Sequence, residues 1–161
     1  DLDATRFHWD HLVLAGDPQQ PRQEARGNIR GDVFACPDGL WIDPRGVLWV
    51  ETDMSSSAMG KGELARLPNN QLLACDPTRP AHEGGPVFRR FLVGPAGCEI
   101  TGLTMSPDLR TLFVNIQHPG ESPAGRGDPA APGRYSRWPD GGRPRSATVM
   151  ITKDDGGVIG T

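Results

Sequence analysis

A chain of 161 residues suits one domain of ordinary size, about 100–150 residues, and 36% hydrophobic residues can furnish a core, while 21 Gly and 16 Pro mark a turn-rich fold. The net charge of -3 comes from 17 basic and 20 acidic residues spread along the whole length, which leaves no electrostatic footprint for nucleic acid and argues against that class of partner. No apolar run approaches the roughly 18 residues that span a bilayer, and no signal-peptide succession stands at the start.

In chain order, Phe7 to Ala15 (FHWDHLVLA) predicts a strand, and residues 16–33, which include GNIRGD, predict a polar connection punctuated by glycine. Leu40 to Asp43 and Val47 to Glu51 predict two short strands. The DPRG between them, with Pro second and Gly fourth, suits a type I turn and makes a tight hairpin. After a Ser, Ala and Gly loop over 54–61, Asn70 to Asp76 and Pro86 to Val93 predict two more strands separated by the turn-like PTRPAHEGG. A second set follows, with strands at Ile100 to Met105 and Thr111 to Ile116 around an SPDLR turn. A Gly, Pro and Arg loop over 117–145 then leads to strands at Ser146 to Thr152 and Val158 to Ile159. No window of 11 or more residues keeps a helical apolar period free of Gly or Pro.

The pattern G-L-x-x-x-P ending in L-[WF]-V occurs twice, anchored at Gly39 and Gly102, 63 residues apart, each with an acid close to the glycine. Successive four-stranded antiparallel units with inner hairpins form the pattern of a β-propeller. The expected fold class is therefore all-β: a partial propeller of about two four-stranded antiparallel blades plus an extra strand. Because propellers close with about 4 to 8 blades, the reading over 1–161 is a propeller segment of a larger single-domain protein. The opening on Asp1 and the stop at Thr161 fit the same expectation. Open blade faces and edges predict self-association. In the second turn Leu109 stands where Gly would ease a left-handed conformation, at a cost of roughly 1 kcal/mol. The three cysteines, Cys36, Cys75 and Cys98, lack CxxC spacing, and an odd number cannot complete an intrachain disulfide framework.

Four stretches together resemble the PhoX-type alkaline phosphatases: GNIRGDVFACPDGLWIDPRGVLWVETD, NNQLLACDP, RRFLVGPAGCEITGLTMSPDLRTLFVNIQHPGE and SRWPDGGRPRSATVMITKDDGGVIG. The resemblance runs from about Phe7 to the end. It implies a six-bladed propeller of which this chain is the C-terminal third, in a periplasmic or secreted bacterial enzyme exported by a twin-arginine signal. It also implies hydrolysis of phosphomonoesters with Fe3+ and Ca2+ held by the complete protein, whose N-terminal blades are missing here. The family's iron-binding cysteine, several carboxylate ligands and a catalytic arginine are expected in those blades. Cys36, Cys75 and Cys98 therefore do not inherit the iron role, and the isolated chain is expected to be inactive.

Asp38 leads the candidate ligands: it precedes Gly39 at the mouth of an inner strand, where hard cations want carboxylate oxygens, although Pro-Asp-Gly is also ordinary turn chemistry. Glu99 occupies the equivalent region of the second unit and is ill suited to a tight turn. Glu51 and Asp53, two apart, share a strand face and can converge on an ion, Asp53 being the stronger of the two, although such pairs are more often solvated. NIQHPGE adds Asn115, Gln117, His118 and Glu121. His118 is the candidate catalytic residue, as proton shuttle or ligand, and Glu121 a further metal candidate. Asn28 and Asp32 read more simply as turn residues. The arginines from Arg126 to Arg145 read as a solvated insertion before they read as phosphate ligands. Trp41, Trp49, Phe88, Phe91 and Phe113 are expected to pack between blades. GxSxG is absent, and Ser55 to Ser57 lie in a loop without a neighbouring base. Two rival functions use the same scaffold: a calcium-dependent lactonase-like propeller, and a non-catalytic interaction module.

Overall fold

The structure, a computed structural model, describes residues 3–124 and 128–160. It is all-β apart from three 3-10 turns, Gln23–Ala25, Gly62–Leu64 and Ala81–Glu83. The strands are β1 (Pro37–Ile42), β2 (Leu48–Thr52), β3 (Gln71–Cys75), β4 (Arg89–Val93), β5 (Glu99–Met105), β6 (Thr111–Gln117) and β7 (Ala147–Thr152). They form two antiparallel sheets, β1-β2-β3-β4 and β5-β6-β7, each in simple chain order, as in neighbouring propeller blades. Among the described residues no helix is long and apolar enough to cross a membrane.

Alternation along β2 explains the layering, because successive side chains point to opposite faces. Trp49 faces the second sheet and joins Leu72, Cys98, Ile100, Leu112, Val114 and Ile116 in a core between the sheets. Leu48 and Val50 face the other way, onto Ile29, Phe34, Leu73 and Phe88. Phe34 and Phe88 pack with ring centroids 4.9 Å apart, and Trp49 meets Phe91 edge-on at 5.2 Å. Burying each large apolar side chain contributes about 1.5–3 kcal/mol, so these two layers dominate the stability of the fold. Leu40 and Ile42 belong by register to the back face, opposite Val50 and Leu48, but are 65% and 60% exposed.

Several expectations need correction. Phe7 to Ala15 is not a strand: its alternation finds no neighbouring ladder, and Phe7 and Trp9 lie exposed. The segment is fixed at its end instead, where Asn28 N donates to Leu14 O (3.0 Å) and Gly16 N to Phe34 O (2.9 Å), while Val13 and Ala15 pack on the back face. Val158 to Ile159 is not a strand either, so the second sheet has three strands. Ile159 N donates to Leu109 O (2.9 Å), and Ile159 plugs the end of the inter-sheet core. Phe113 does not pack between the two sheets. It alternates with the buried Leu112 and Val114 and pairs with Met150, itself 65% exposed, on the far face. Leu109 does adopt the left-handed conformation, with φ 58°. Between β6 and β7 the described residues carry neither strand nor helix, and local ion pairs join Arg134 to Asp128 (3.6 Å) and Arg145 to Asp140 (2.6 Å). Arg126, within that connection, lies outside the described residues.

The turn after β1 is held by one buried carboxylate. Asp43 Oδ1 accepts from Arg45 N (2.8 Å) and Val47 N (3.2 Å), and Oδ2 accepts from Arg45 Nη2 (2.6 Å) and Trp49 Nε1 (3.2 Å). Arg45 Nη1 then donates to Ile159 O (2.8 Å), so the same group anchors the C-terminal plug.

Candidate functional site

Each inner hairpin carries a bulge close to its repeat glycine. In the first, Pro37 pairs with Thr52 and Leu40 with Val50, so Asp38 and Gly39 together oppose Glu51. In the second, Thr101 pairs with Asn115 and Thr104 with Phe113, so Gly102 and Leu103 oppose Val114. Gly102 has φ 61°, the left-handed geometry in which glycine carries no Cβ penalty. A bulge interrupts the ladder and leaves amides that need other acceptors.

Glu51 meets that need across the sheets. Its Oε1 accepts from Leu103 N at 2.8 Å, and the Gly102 amide adds a second bond. The carboxylate passes directly over Gly39, where an added Cβ would stand 1.9 Å from Oε2. Glu51 is 6% exposed. Burial pushes its pKa up, the two amides oppose that rise, and the charges of Asp38 and Glu99 add to it.

The second acidic centre is Glu99, the first residue of β5. Burial is again the main cause of its raised pKa, with Asp53 and Asp38 adding to it and His118 opposing. Its Oε2 accepts a short bond from Gln117 Nε2 and lies 3.4 Å from His118 Nε2. His118 itself has φ 37°. Its N donates to Ser146 Oγ (3.0 Å), its Nδ1 is 3.3 Å from Gly97 O and its Nδ1 is also 3.9 Å from Glu121 Oε2. Ser56 Oγ, 3.0 Å from Glu121 Oε2 and 2.8 Å from Ser122 O, ties the loop after β2 to the loop after β6. The serine loop thus does have a carboxylate beside it, contrary to the sequence reading.

Strand polarity explains the convergence. β1 and β5 begin, and β2 and β6 end, at the same end of their hairpins, which gathers Asp38, Glu51, Asp53, Glu99, His118 and Glu121 there. The register places Thr52 opposite Pro37 and Gln117 opposite Glu99, so the residues flanking those pairs share one rim. Asn28 and Asp32 serve the backbone instead: Asn28 Oδ1 accepts from Leu14 N (2.8 Å) and Asp32 Oδ2 from Arg90 N (2.8 Å).

Glu51 and Glu99, raised by burial first and by neighbouring carboxylates, stand among oxygen donors of the kind a hard cation takes, and its charge would relieve the mutual repulsion. Among the described residues, however, no three or more His, Cys, Asp or Glu side chains already stand in a ligating group. Burial pushes the thiols of Cys75 and Cys98 up to about 11 and about 12, and the exposed Cys36 is raised as well, by desolvation first and by Asp53. An acidic rim repels a phosphate ester unless cations intervene.

Sequence reasoning missed Asn70, which is fully buried at the entrance to β3. Its Oδ1 accepts from Thr52 Oγ1 (2.8 Å) and Met54 N (2.7 Å), and its Nδ2 donates to Met54 O (3.1 Å) and Cys98 O (2.9 Å). In NNQLLAC nothing distinguishes it from a turn asparagine, because its partners are remote in sequence.

The profile of the family described as "Alkaline phosphatase PhoX" matches residues 1–120. Among solved structures, Pseudomonas fluorescens PhoX in complex with vanadate, a transition state analogue, is similar to this chain with a TM-score of 0.72 and 42% identity, over 92% of this chain and 24% of that one. The chain thus spans about a quarter of that relative. No curated protein sequence matches.

Proposed function

This chain belongs to the PhoX alkaline phosphatase family, and from that premise we propose that the complete protein is a metal-dependent phosphomonoesterase to which these residues contribute part of the active site. The observation that carries the reading is the acidic rim shared by the two bulged hairpins, with Glu51 and Glu99 raised by burial and by neighbouring carboxylates. Asp38 and Glu99 would hold cations from two adjacent sheets, with Asp53 and Glu121 as further oxygen donors. Calcium suits these carboxylates. Iron would take its remaining ligands from other parts of the complete protein. When bound, clustered cations activate an oxygen nucleophile and neutralise charge on the transferring phosphoryl group.

The residues of this chain have separate tasks in that reading. His118, between Glu99 and Glu121, keeps a proton at Nε2 for the oxygen of the leaving alcohol, a general-acid role. Gln117 and His118 fix the orientation of the Glu99 carboxylate. With no complete ligand group among its described residues, the chain alone is expected to lack substantial turnover. The exposed Leu40 and Ile42 would be covered by a preceding blade of the complete protein, and in its absence they would drive self-association. Residues 1–161 would then form one propeller segment, with 117–145 as a loop insertion, in a protein that works in the periplasm or outside the cell.

Family membership favours phosphomonoester hydrolysis over a calcium-dependent lactonase or an interaction module. The test is turnover of p-nitrophenyl phosphate by the complete protein, with and without a chelator and with added vanadate. Metal-dependent turnover inhibited by vanadate is expected. Hydrolysis of a lactone but not of the phosphate ester would overturn the proposal.

A further inference from the structure

Two buried side chains, Glu51 in β2 and Asn70 just before β3, reach across to β5 on either side of Glu99. Asn70 Nδ2 donates to Cys98 O (2.9 Å), immediately before Glu99. Glu51 Oε1 accepts from Leu103 N (2.8 Å), four residues after it, at the bulge amide that the β5-β6 ladder leaves unpaired. Between these points lie Glu99, Ile100, Thr101 and Gly102, with Ile100 fully buried in the inter-sheet core. The segment is thereby fixed at its carbonyl end, its amide end and its apolar centre.

We propose that Asn70 and Glu51 are positioning residues that clamp β5 to the first sheet and so set where the Glu99 carboxylate stands relative to Asp38 and Asp53. The inference rests on the phosphatase reading for its catalytic consequence, but the clamp itself rests on the bonds above. All four hydrogen-bonding positions of the Asn70 amide are occupied, two as acceptor and two as donor. An aspartate of the same shape would turn an oxygen toward the carbonyls of Met54 and Cys98 and lose both donations. Glutamine at position 51 retains an acceptor oxygen for Leu103 N while removing the charge.

The experiment uses the complete protein with Glu51→Gln, Glu51→Ala and Asn70→Asp, and reads three quantities: kcat and KM on p-nitrophenyl phosphate, calcium affinity, and hydrogen exchange of the peptide spanning residues 98–105. Orientation of a ligand by its outer partners is commonly worth about 10–100-fold. Glu51→Ala and Asn70→Asp should therefore lower kcat and calcium affinity by about that factor, with KM moving less, and should speed exchange over 98–105. Glu51→Gln should leave exchange over 98–105 within about threefold of the parent, because the acceptor for the bulge amide survives, whatever the lost charge beside Asp38 and Glu99 does to calcium affinity and turnover. A Gln variant whose exchange over 98–105 is as fast as that of the Ala variant would overturn the inference, since the retained acceptor would then not be what holds β5. Unchanged exchange in both Glu51→Ala and Asn70→Asp would overturn it as well. If the parent does not turn over the phosphate ester, the phosphatase reading fails, while exchange and calcium affinity still decide the clamp.

Discussion

Asp43→Ala probes the junction on which the inner hairpin of the first sheet depends. The substitution removes the acceptor for Trp49 Nε1, and Trp49 is 1% exposed in the centre of the inter-sheet core. A buried donor left unsatisfied costs about 1–3 kcal/mol. The Arg45 and Val47 amides also lose their side-chain acceptor, at about 0.5–1.5 kcal/mol each. Arg45 keeps Ile159 O as an acceptor and is partly exposed, so its lost ion pair adds little. The expected destabilisation is therefore about 4 kcal/mol, large against the marginal stability of a domain. Urea unfolding followed by tryptophan fluorescence would measure it, because Trp49 itself reports the transition. A loss below about 1 kcal/mol with an unchanged m-value would refute the reasoning.

Three further expectations follow from the same geometry. Burial alone would raise the Asp43 pKa, but hydrogen bonds from Arg45, Trp49 and Val47 outweigh it and hold the group below 3.8. A depressed carboxylate contributes stability above its unfolded pKa and loses it as pH falls through the folded value. Stability should thus decline below about pH 4 with a slope that is shallower in Asp43→Ala, as acid titration of the unfolding midpoint would show. Leu109→Asn should stabilise the protein by about 0.5–1 kcal/mol, since asparagine tolerates the left-handed conformation that leucine holds at φ 58°; a lower Tm would count against that strain. Gly39→Ala should lower phosphatase turnover by about the same 10–100-fold as Glu51→Ala, because the new Cβ would meet Glu51 Oε2 at 1.9 Å and Glu51 Cβ at 3.2 Å. Turnover at the parental level in that variant would show that Glu51 can vacate its place without consequence.

Strand alternation and turn chemistry made most of the fold legible. DPRG and SPDLR marked the two inner hairpins, and the runs that follow them supplied β2 and β6 within a residue or two. Phe7 to Ala15 shows where this reasoning stops: alternation signals a two-sided segment, whereas a strand also needs a ladder, and among the described residues backbone bonds reach it only at its end, from Asn28 to Leu14 and from Gly16 to Phe34. Val158 and Ile159 fail for a related reason, since bonds of Ile159 to Leu109 O and Arg45 Nη1, with its apolar plug, hold the segment without a ladder. Asp38, Glu99 and His118 could be picked out because each stands near a repeat glycine or a strand end. The tasks of Glu51 and Asn70 could not, because their partners, Leu103 and Cys98, are brought to them only when the second sheet packs on the first.

The central claim is that this acidic rim holds cations used in phosphomonoester hydrolysis. Elemental analysis of the complete protein, together with p-nitrophenyl phosphate turnover, for the parent and for Asp38→Asn and Glu99→Gln, tests it most directly. Calcium and iron in an active parent, with both metal content and turnover reduced in the two variants, is the predicted result. A metal-free, inactive parent, or variants that keep full metal and full turnover, would contradict it.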